Sequence, residues 1–144
     1  MSDIGRNQLE VMLVDDEAPA RELLSLMLAE CEAAELLGGF SNGADLLQAM
    51  NSRVPDLLLL DIGLPGEDGV ELARHCIDQF PSITIVFVTA YNNRAIEAFE
   101  LNALDYLLKP VDDRRLRETI ERARLNLHRN RLAERIGWAS EAMQ

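Results

Sequence analysis

The stretch PDLLLLDIGLPG, residues 55–66, decides the fold class. Its four consecutive leucines, Leu57 to Leu60, are typical of a strand buried on both faces. Such strands occur in parallel sheets that are covered by helices on both sides. The apolar run ends in a carboxylate, Asp61, and two glycines and a proline follow within five residues. An acidic side chain at the end of a buried strand therefore needs an explanation.

The rest of the chain repeats the same alternation of strand and helix. Short apolar runs predict five strands, at residues 10–14, 33–40, 56–60, 83–88 and 104–108. Apolar residues at helical spacing predict a helix after each strand, at residues 18–31, 42–50, 69–80, 93–101 and from 112 onward. Five such units predict one doubly wound α/β domain with a parallel five-stranded sheet and right-handed crossovers.

Composition and charge restrict the class of protein. The 144 residues are 48% hydrophobic, and the formal net charge is −11. Residues 1–111 carry 6 basic against 19 acidic side chains, so this body repels phosphate backbones and is not expected to bind nucleic acid by itself. Cys31 and Cys76 are too few for a disulfide framework, and the chain has neither a signal peptide nor a membrane-spanning run. We therefore expect a cytoplasmic protein with no membrane partner.

Polar side chains mark the carboxyl ends of the predicted strands. Asp15 and Asp16 follow the first strand, Asp61 the third, Thr89 the fourth and Lys109 the fifth. In an open α/β sheet these ends share one edge, and ligands bind there. Three carboxylates about 5 Å apart repel one another by about 3 kcal/mol for each pair at an effective dielectric near 20.

This repulsion predicts a bound cation. Lys109 offsets part of the negative charge, and a divalent cation would offset the rest. The hard oxygen ligands favour Mg²⁺, which binds to one or two protein carboxylates and keeps several waters. One carboxylate then remains free to act as a nucleophile toward phosphorus.

Four motifs together resemble the receiver domain of two-component response regulators. They are LVDDE (13–17), LLLLDIGLPGEDG (57–69), TA (89–90) and LLKP (107–110). The resemblance covers about residues 9–125, and it implies a flavodoxin-like sheet of strand order 2-1-3-4-5. It implies a phosphorylation-controlled signalling domain rather than an enzyme, although self-phosphorylation and dephosphorylation are intrinsic to such domains.

The resemblance also implies roles for the acidic residues. Asp61 would accept a phosphoryl group from a histidine of a sensor histidine kinase. Asp16 would bind Mg²⁺ directly, Asp15 would bind it through water, and the backbone carbonyl of Gly63 would supply another ligand. Lys109 would contact the phosphoryl oxygens.

Four further residues belong to the implied switch. Thr89 and the backbone of Ala90 would bind the phosphoryl group, and Tyr106 would be the aromatic whose ring turns inward on activation. The Lys109–Pro110 peptide bond would be cis. The change would reach a face formed by the fourth helix, fifth strand and fifth helix, through which a homodimer could form.

A finer likeness concerns the output. DDEAPAR (15–21) and AFELNALDYLLKPV (98–111) resemble receivers that precede a LytTR-type DNA-binding domain, so DNA binding would need an effector domain absent from this chain. Two positions depart from the pattern: Leu64, where the wider family often has Met, and Arg94, where LytTR-type receivers often carry an aromatic residue.

The predicted organisation is a receiver domain at residues 1–125 followed by a helical linker or tail at 126–144. The tail carries an apolar stripe that suits a linker or a dimer seam, formed by Leu125, Leu132, Ile136, Ala139 and Met143. Gly137 interrupts the helical pattern, so the helix could fray there.

Several alternatives stay open at this point. Asp15 and Asp16 could serve only as a helix cap, Asp61 could merely start a turn, and Thr89 and Tyr106 could be ordinary packed residues. The chain could be a stand-alone receiver that signals by docking, or a degenerate receiver that is never phosphorylated. It could also be an aspartyl-phosphate phosphohydrolase, but such enzymes need a general acid where this chain has Gly63.

Overall fold

A five-stranded parallel sheet forms the centre of the molecule. The computed structural model describes residues 8–142, and side chains through residue 137. The strands are β1 (Leu9–Val14), β2 (Ala34–Phe40), β3 (Leu57–Leu60), β4 (Thr84–Thr89) and β5 (Asp105–Leu108). Their order in the sheet is β2-β1-β3-β4-β5, and all pairs are parallel, so the predicted fold class and strand order are confirmed.

Five helices connect or follow the strands. They are α1 (Ala18–Ala29), α2 (Gly43–Met50), α3 (Gly69–Gln79), α4 (Ala95–Glu100) and α5 (Asp113–Ala142). Local sequence explains where three of them begin. Helix α1 has a proline in its first turn. Side chains cap the next two helices: Asn42 accepts a hydrogen bond from the Asp45 N–H at the start of α2, and Asp68 accepts one from the Val70 N–H at the start of α3. No helix among residues 8–142 is long and apolar enough to cross a membrane.

The leucines of β3 are divided between two hydrophobic layers. Leu58 and Leu60 pack with side chains from α2, α3 and α4, whereas Leu57 and Leu59 pack with side chains from α1 and α5. All four leucines are at most 1% exposed. This two-sided burial explains the uninterrupted apolar run, because successive side chains of a strand point to opposite faces.

Two features differ from the simple sequence prediction. A short antiparallel hairpin, the acceptor hairpin, follows Asp61 in a region where we predicted no strand, and in it Gly63–Leu64 pairs with Glu67–Asp68. In the turn of this hairpin, Gly66 has a φ of +74°, which favours glycine. The first helix ends at Ala29, so Cys31 lies beyond it, and both Cys31 and Cys76 are buried free thiols.

Helix α5 runs without a break through residue 125 and through Gly137. Its buried residues Leu116, Ile120 and Ala123 pack under the sheet, and Leu127 is partly buried against the same layer. Beyond that point Leu132 and Ile136 are exposed. The predicted stripe also included Met143, which lies outside the described residues, and the side chain of Ala139, which is likewise not described. The division into a receiver domain at 1–125 and a tail at 126–144 stays a prediction.

Candidate phosphoryl-acceptor and metal site

The carboxyl ends of β1, β3 and β5 bring three carboxylates and one ammonium group together. One oxygen each from Asp15, Asp16 and Asp61 lies within 4.8 Å of the others. The Nζ atom of Lys109 donates hydrogen bonds to Asp15 Oδ2 at 2.6 Å and to Asp61 Oδ2 at 3.0 Å. Asp15 and Asp61 are 1% and 6% exposed, whereas Asp16 is exposed to solvent. The single ammonium therefore faces more negative charge than it can neutralise.

Backbone N–H groups hold the two buried carboxylates in place. Asp15 Oδ1 accepts from the Glu17 N–H at 3.0 Å, and Asp61 Oδ1 accepts from the Gly63 N–H at 3.1 Å. The backbone of Asp61 is itself fixed, because its N–H donates to the Val14 carbonyl at 3.0 Å. In each carboxylate one oxygen is thus held by the local turn, and the other points to Lys109.

Lys109 is the only lysine in the sequence, since all its other charged basic side chains are arginines. Burial works to lower the pKa of Lys109, but its hydrogen bonds to Asp15 and Asp61 outweigh burial and raise that pKa. The peptide bond to Pro110 is cis, which is the isomer expected from the sequence. The scarcity of lysine is a sequence signal for this site that is independent of the four motifs.

Two of the predicted switch residues, Thr89 and Tyr106, are each hydrogen-bonded to Tyr91. Thr89 is fully buried at the end of β4, and its Oγ1 accepts a hydrogen bond from the Tyr91 N–H at 3.3 Å. The hydroxyl of Tyr106 donates to the Tyr91 carbonyl, so β5 is connected to the loop after β4. Ala90 is exposed at the start of that loop. The Tyr106 ring also packs against Phe87, with ring centroids 6.2 Å apart.

Glycines permit the close packing around the acceptor hairpin. A Cβ atom on Gly69 would lie 2.2 Å from the carbonyl oxygen of Asp61 and 2.6 Å from the Cα of Ile62, both of them backbone atoms. A Cβ atom on Gly63 would lie 2.6 Å from Cε2 of Tyr91, so the tyrosine ring rests on this glycine. Neither contact was predicted, because each depends on how two separate segments meet.

Two polar networks outside the carboxylate cluster were also missed. Asp105, at the start of β5, accepts hydrogen bonds from Thr119 Oγ1 at 2.7 Å, from Arg115 at 2.7 Å and from Arg122 at 3.2 Å, all on α5. Arg94, Asp68 and Glu97 form a second network between the acceptor hairpin and α4. The pairs that Asp105 makes with α5, and the pair between Asp68 and Arg94, join separate elements, so no periodic signal could reveal them.

The donor atoms fit a hard divalent cation. Carboxylate oxygens from three residues lie within 4.8 Å of one another, and among the described residues this group contains neither histidine nor cysteine. Oxygen ligands of this kind suit Mg²⁺ better than zinc or copper. A cation would also reduce the repulsion that one lysine leaves uncompensated.

Comparisons with known proteins agree with this geometry. The family model for the response regulator receiver domain matches residues 11–121. A response regulatory protein of Vibrio cholerae serotype O1 is 46% identical over 114 residues, which is 79% of this chain and 48% of that protein. The transcriptional regulatory protein BtsR of Escherichia coli K12 is 42% identical over 116 residues, or 81% of this chain and 48% of BtsR.

A solved structure gives the same result for the fold. The response regulatory domain of protein mrkE from Klebsiella pneumoniae superposes with a TM-score of 0.77 at 36% identity, covering 84% of this chain and 99% of that one. The chain spans about half the length of the curated relatives it matches.

Proposed function

This chain belongs to the response regulator receiver domain family, and we propose that it is a phosphorylation-controlled switch whose phosphoryl acceptor is Asp61. One observation carries the assignment: a buried carboxylate after the central strand shares a site with two further carboxylates and the only lysine of the chain. A cap or turn role for these residues would not require the four side chains to converge.

In the proposed reaction a carboxylate oxygen of Asp61 attacks the phosphorus of a phosphohistidine on a sensor kinase. The new bond joins this oxygen to phosphorus, the phosphorus–nitrogen bond breaks, and its electron pair returns to the imidazole. Lys109, already 3.0 Å from Asp61 Oδ2, stabilises negative charge on the phosphoryl oxygens. Thr89 and the backbone N–H of Ala90 bind the transferred group.

Asp15, Asp16, Asp61 and the carbonyl of Gly63 are the proposed ligands for Mg²⁺. When bound, the cation supplies positive charge that neutralises the phosphoryl oxygens during transfer. The 4.8 Å spacing of the carboxylate oxygens supports this set, and the hydrogen bond from the Gly63 N–H to Asp61 places that residue beside the acceptor.

Labelling with acetyl phosphate tests the acceptor assignment. With Mg²⁺ present, we expect intact-mass analysis to show one added phosphoryl group on the native chain and none on Asp61→Asn. Asp56→Asn is the matched control, since Asp56 lies at the opposite end of β3 and accepts a hydrogen bond from the Glu10 N–H. Equal labelling of Asp61→Asn would refute the assignment, and chelation of Mg²⁺ should suppress labelling of the native chain.

We further propose that phosphorylation changes the face formed by α4, β5 and α5. The phosphoryl group carries a charge of roughly −1.5 to −2 in place of the single negative charge of the Asp61 carboxylate. The contacts between Thr89, Tyr91 and Tyr106 offer a route from the acceptor to β5. This face carries exposed apolar side chains, with Ile96 at 75%, Phe99 at 70% and Leu108 at 48%. Such a patch suits a homodimer contact.

Light scattering tests this output. Addition of beryllofluoride, which mimics the phosphoryl group, should increase the mass of the native chain but not that of Asp61→Asn. A variant with Phe99→Ser should bind beryllofluoride and remain a monomer. A native chain that stays monomeric at high micromolar concentration with beryllofluoride would exclude this face as a site of self-association.

The broader role that we propose is control of transcription through a LytTR-type DNA-binding domain. The resemblance of the DDEAPAR and AFELNALDYLLKPV segments to receivers that precede a LytTR-type domain supports the type of domain. BtsR is a transcriptional regulatory protein and the relatives are longer than this chain, which supports a transcriptional output. The acidic body of the chain argues against direct DNA binding.

The parent gene decides between this role and that of a stand-alone receiver which signals by docking. A reading frame that continues past codon 144 into a basic domain of roughly 100 residues, the ordinary size of a domain, would support the transcriptional role. A stop codon there would favour docking.

A cytoplasmic location remains a prediction from the sequence.

A further inference from the structure

Arg94 connects two parts of the molecule that the reaction must coordinate. It precedes the first turn of α4, and its guanidinium lies between carboxylates of Asp68 in the acceptor hairpin and Glu97 in α4. One Nη atom is 2.8 Å from Asp68 Oδ2 and 2.9 Å from Glu97 Oε2, and Nε donates to the other oxygen of Glu97. Only 24% of the arginine side chain is exposed.

Asp68 is in turn bonded to the acceptor side of the site. It pairs with Gly63 in the hairpin, and its Oδ1 accepts the Val70 N–H at 2.9 Å, which caps α3. Burial works to raise the pKa of Asp68, but the hydrogen bonds from Arg94 and the Val70 N–H outweigh it and hold that pKa below the usual value. The two oxygens of Asp68 thus join the start of α3 to Arg94, with Oδ2 2.8 Å from the guanidinium.

Helix α4 depends on this connection because its other anchors are few. It has six residues, and Ala98 is the side chain that it buries in the core. Its two large apolar side chains, Ile96 and Phe99, are 75% and 70% exposed. The carbonyl of Arg94 accepts the Ala98 N–H at 3.2 Å, so the backbone of Arg94 is part of the first turn. The side chain and the backbone of Arg94 thus join Asp68 to the start of α4.

From these contacts we infer that Arg94 is a positioning residue that couples the acceptor hairpin to α4. The inference rests on the proposed function, because Gly63, the hairpin partner of Asp68, is the residue whose carbonyl would bind the cation. Binding at the acceptor site then moves or stiffens Asp68, and Arg94 transmits the change to the exposed face of α4. Tyr106 acts on the same loop from the other side through the Tyr91 carbonyl.

Amide hydrogen exchange of the free chain tests the coupling without any phosphoryl ligand. Asp68→Asn removes the charge but keeps the cap on α3, because Asn and Asp cap helices equally well. We expect both Asp68→Asn and Arg94→Ala to speed exchange in a peptide covering α4 by about two- to fivefold, the range of a partly exposed ion pair. The double variant should exchange no faster than Arg94→Ala, because Arg94→Ala already breaks the contact that Asp68→Asn weakens.

Two controls separate coupling from general destabilisation. Arg124→Ala removes an exposed pair with Glu121 on α5 and should leave exchange in α4 unchanged. Arg94→Lys keeps the charge without the planar fork and should restore part of the protection. If Asp68→Asn leaves α4 exchange at the native rate, the inference is overturned, whatever happens at Asp61.

A second arm adds Mg²⁺ and beryllofluoride. In the native chain we expect slower exchange in both the acceptor hairpin and α4, and in Arg94→Ala a response confined to the hairpin. An α4 response of native size in Arg94→Ala would contradict the inference while leaving the acceptor assignment intact. If even the native hairpin fails to respond, the proposed function fails, whereas coupling shown in the free chain still stands.

Discussion

The Nζ atom of Lys109 lies 2.6 Å from an oxygen of Asp15, although 94 positions separate the two residues. The contact exists because β1 and β5 run parallel in one sheet, with β3 and β4 between them, and end at the same edge. Lys109 also reaches Asp61 from the central strand, so one flexible side chain joins the ends of three strands.

Replacing this lysine should weaken the fold as well as the chemistry. Lys109→Met keeps the apolar stem but leaves two buried carboxylates without their cation, so we expect a loss of about 1–3 kcal/mol in the free energy of unfolding. The measurement is urea denaturation without divalent cations. Addition of Mg²⁺ should restore part of the loss, because the cation would replace the missing charge. An unchanged unfolding midpoint would show that the ion pairs contribute little.

Asp105 should make stability depend on acid. Burial works to raise its pKa, but the hydrogen bonds from Thr119, the Tyr106 N–H and Arg115 outweigh burial and lower the pKa below that of a free aspartate. A carboxylate with a lowered folded pKa contributes stability above its unfolded pKa of about 3.9, and this contribution is lost as the pH falls through the folded value.

Asp105→Asn should therefore be less stable at pH 7 by about 1–3 kcal/mol, the range for a hydrogen bond to a charged group. The variant should also lose less stability than the native chain as the pH falls below about 5, which is roughly one unit above the unfolded pKa. Urea midpoints across this range provide the measurement. The exposed Asp78→Asn variant should follow the native curve. Parallel curves for Asp105→Asn and the native chain would contradict the predicted role.

The two faces of β3 should be equally sensitive to truncation. Leu58→Ala and Leu59→Ala each empty a site in a different layer, and both side chains are at most 1% exposed. We expect each to cost about 2–5 kcal/mol, as buried leucines do. Leu108→Ala on the edge strand should cost far less, since that side chain is 48% exposed. Equilibrium unfolding of the three variants would reveal any asymmetry between the layers.

Gly69 should tolerate no side chain. A Cβ atom would approach the Asp61 carbonyl to 2.2 Å, so Gly69→Ala must shift backbone next to the acceptor. We expect a loss of about 1–3 kcal/mol from overpacking and slower labelling by acetyl phosphate. The control is Gly137→Ala in α5, where a Cβ atom would meet nothing within 4 Å. This substitution should add about 1 kcal/mol of stability, because alanine favours a helix more than glycine does. Native labelling kinetics in Gly69→Ala would show that the acceptor loop can adjust.

Local patterns were sufficient for the elements and their succession along the chain, whereas the strand order in the sheet came from the family resemblance. The leucines of β3 predicted two-sided burial because consecutive side chains face opposite layers, and both layers are present. Strand-end chemistry pointed to Asp15, Asp61 and Lys109 since parallel strands share one edge. By contrast, the acceptor hairpin was not predicted, because pairs of two-residue strands leave no periodicity to detect.

The sequence by itself determined the alternation of strands and helices, the acidic character of the body and the residue types available at one sheet edge. These properties are local, so they can be recognised from spacing and composition. Only the tertiary structure decided that Arg94 pairs with Asp68, that Tyr91 rests on Gly63 and that Asp105 holds α5 against β5. Each of these contacts joins segments whose relative position depends on the packing of the whole domain, and side-chain partners at such separations are chosen by that packing.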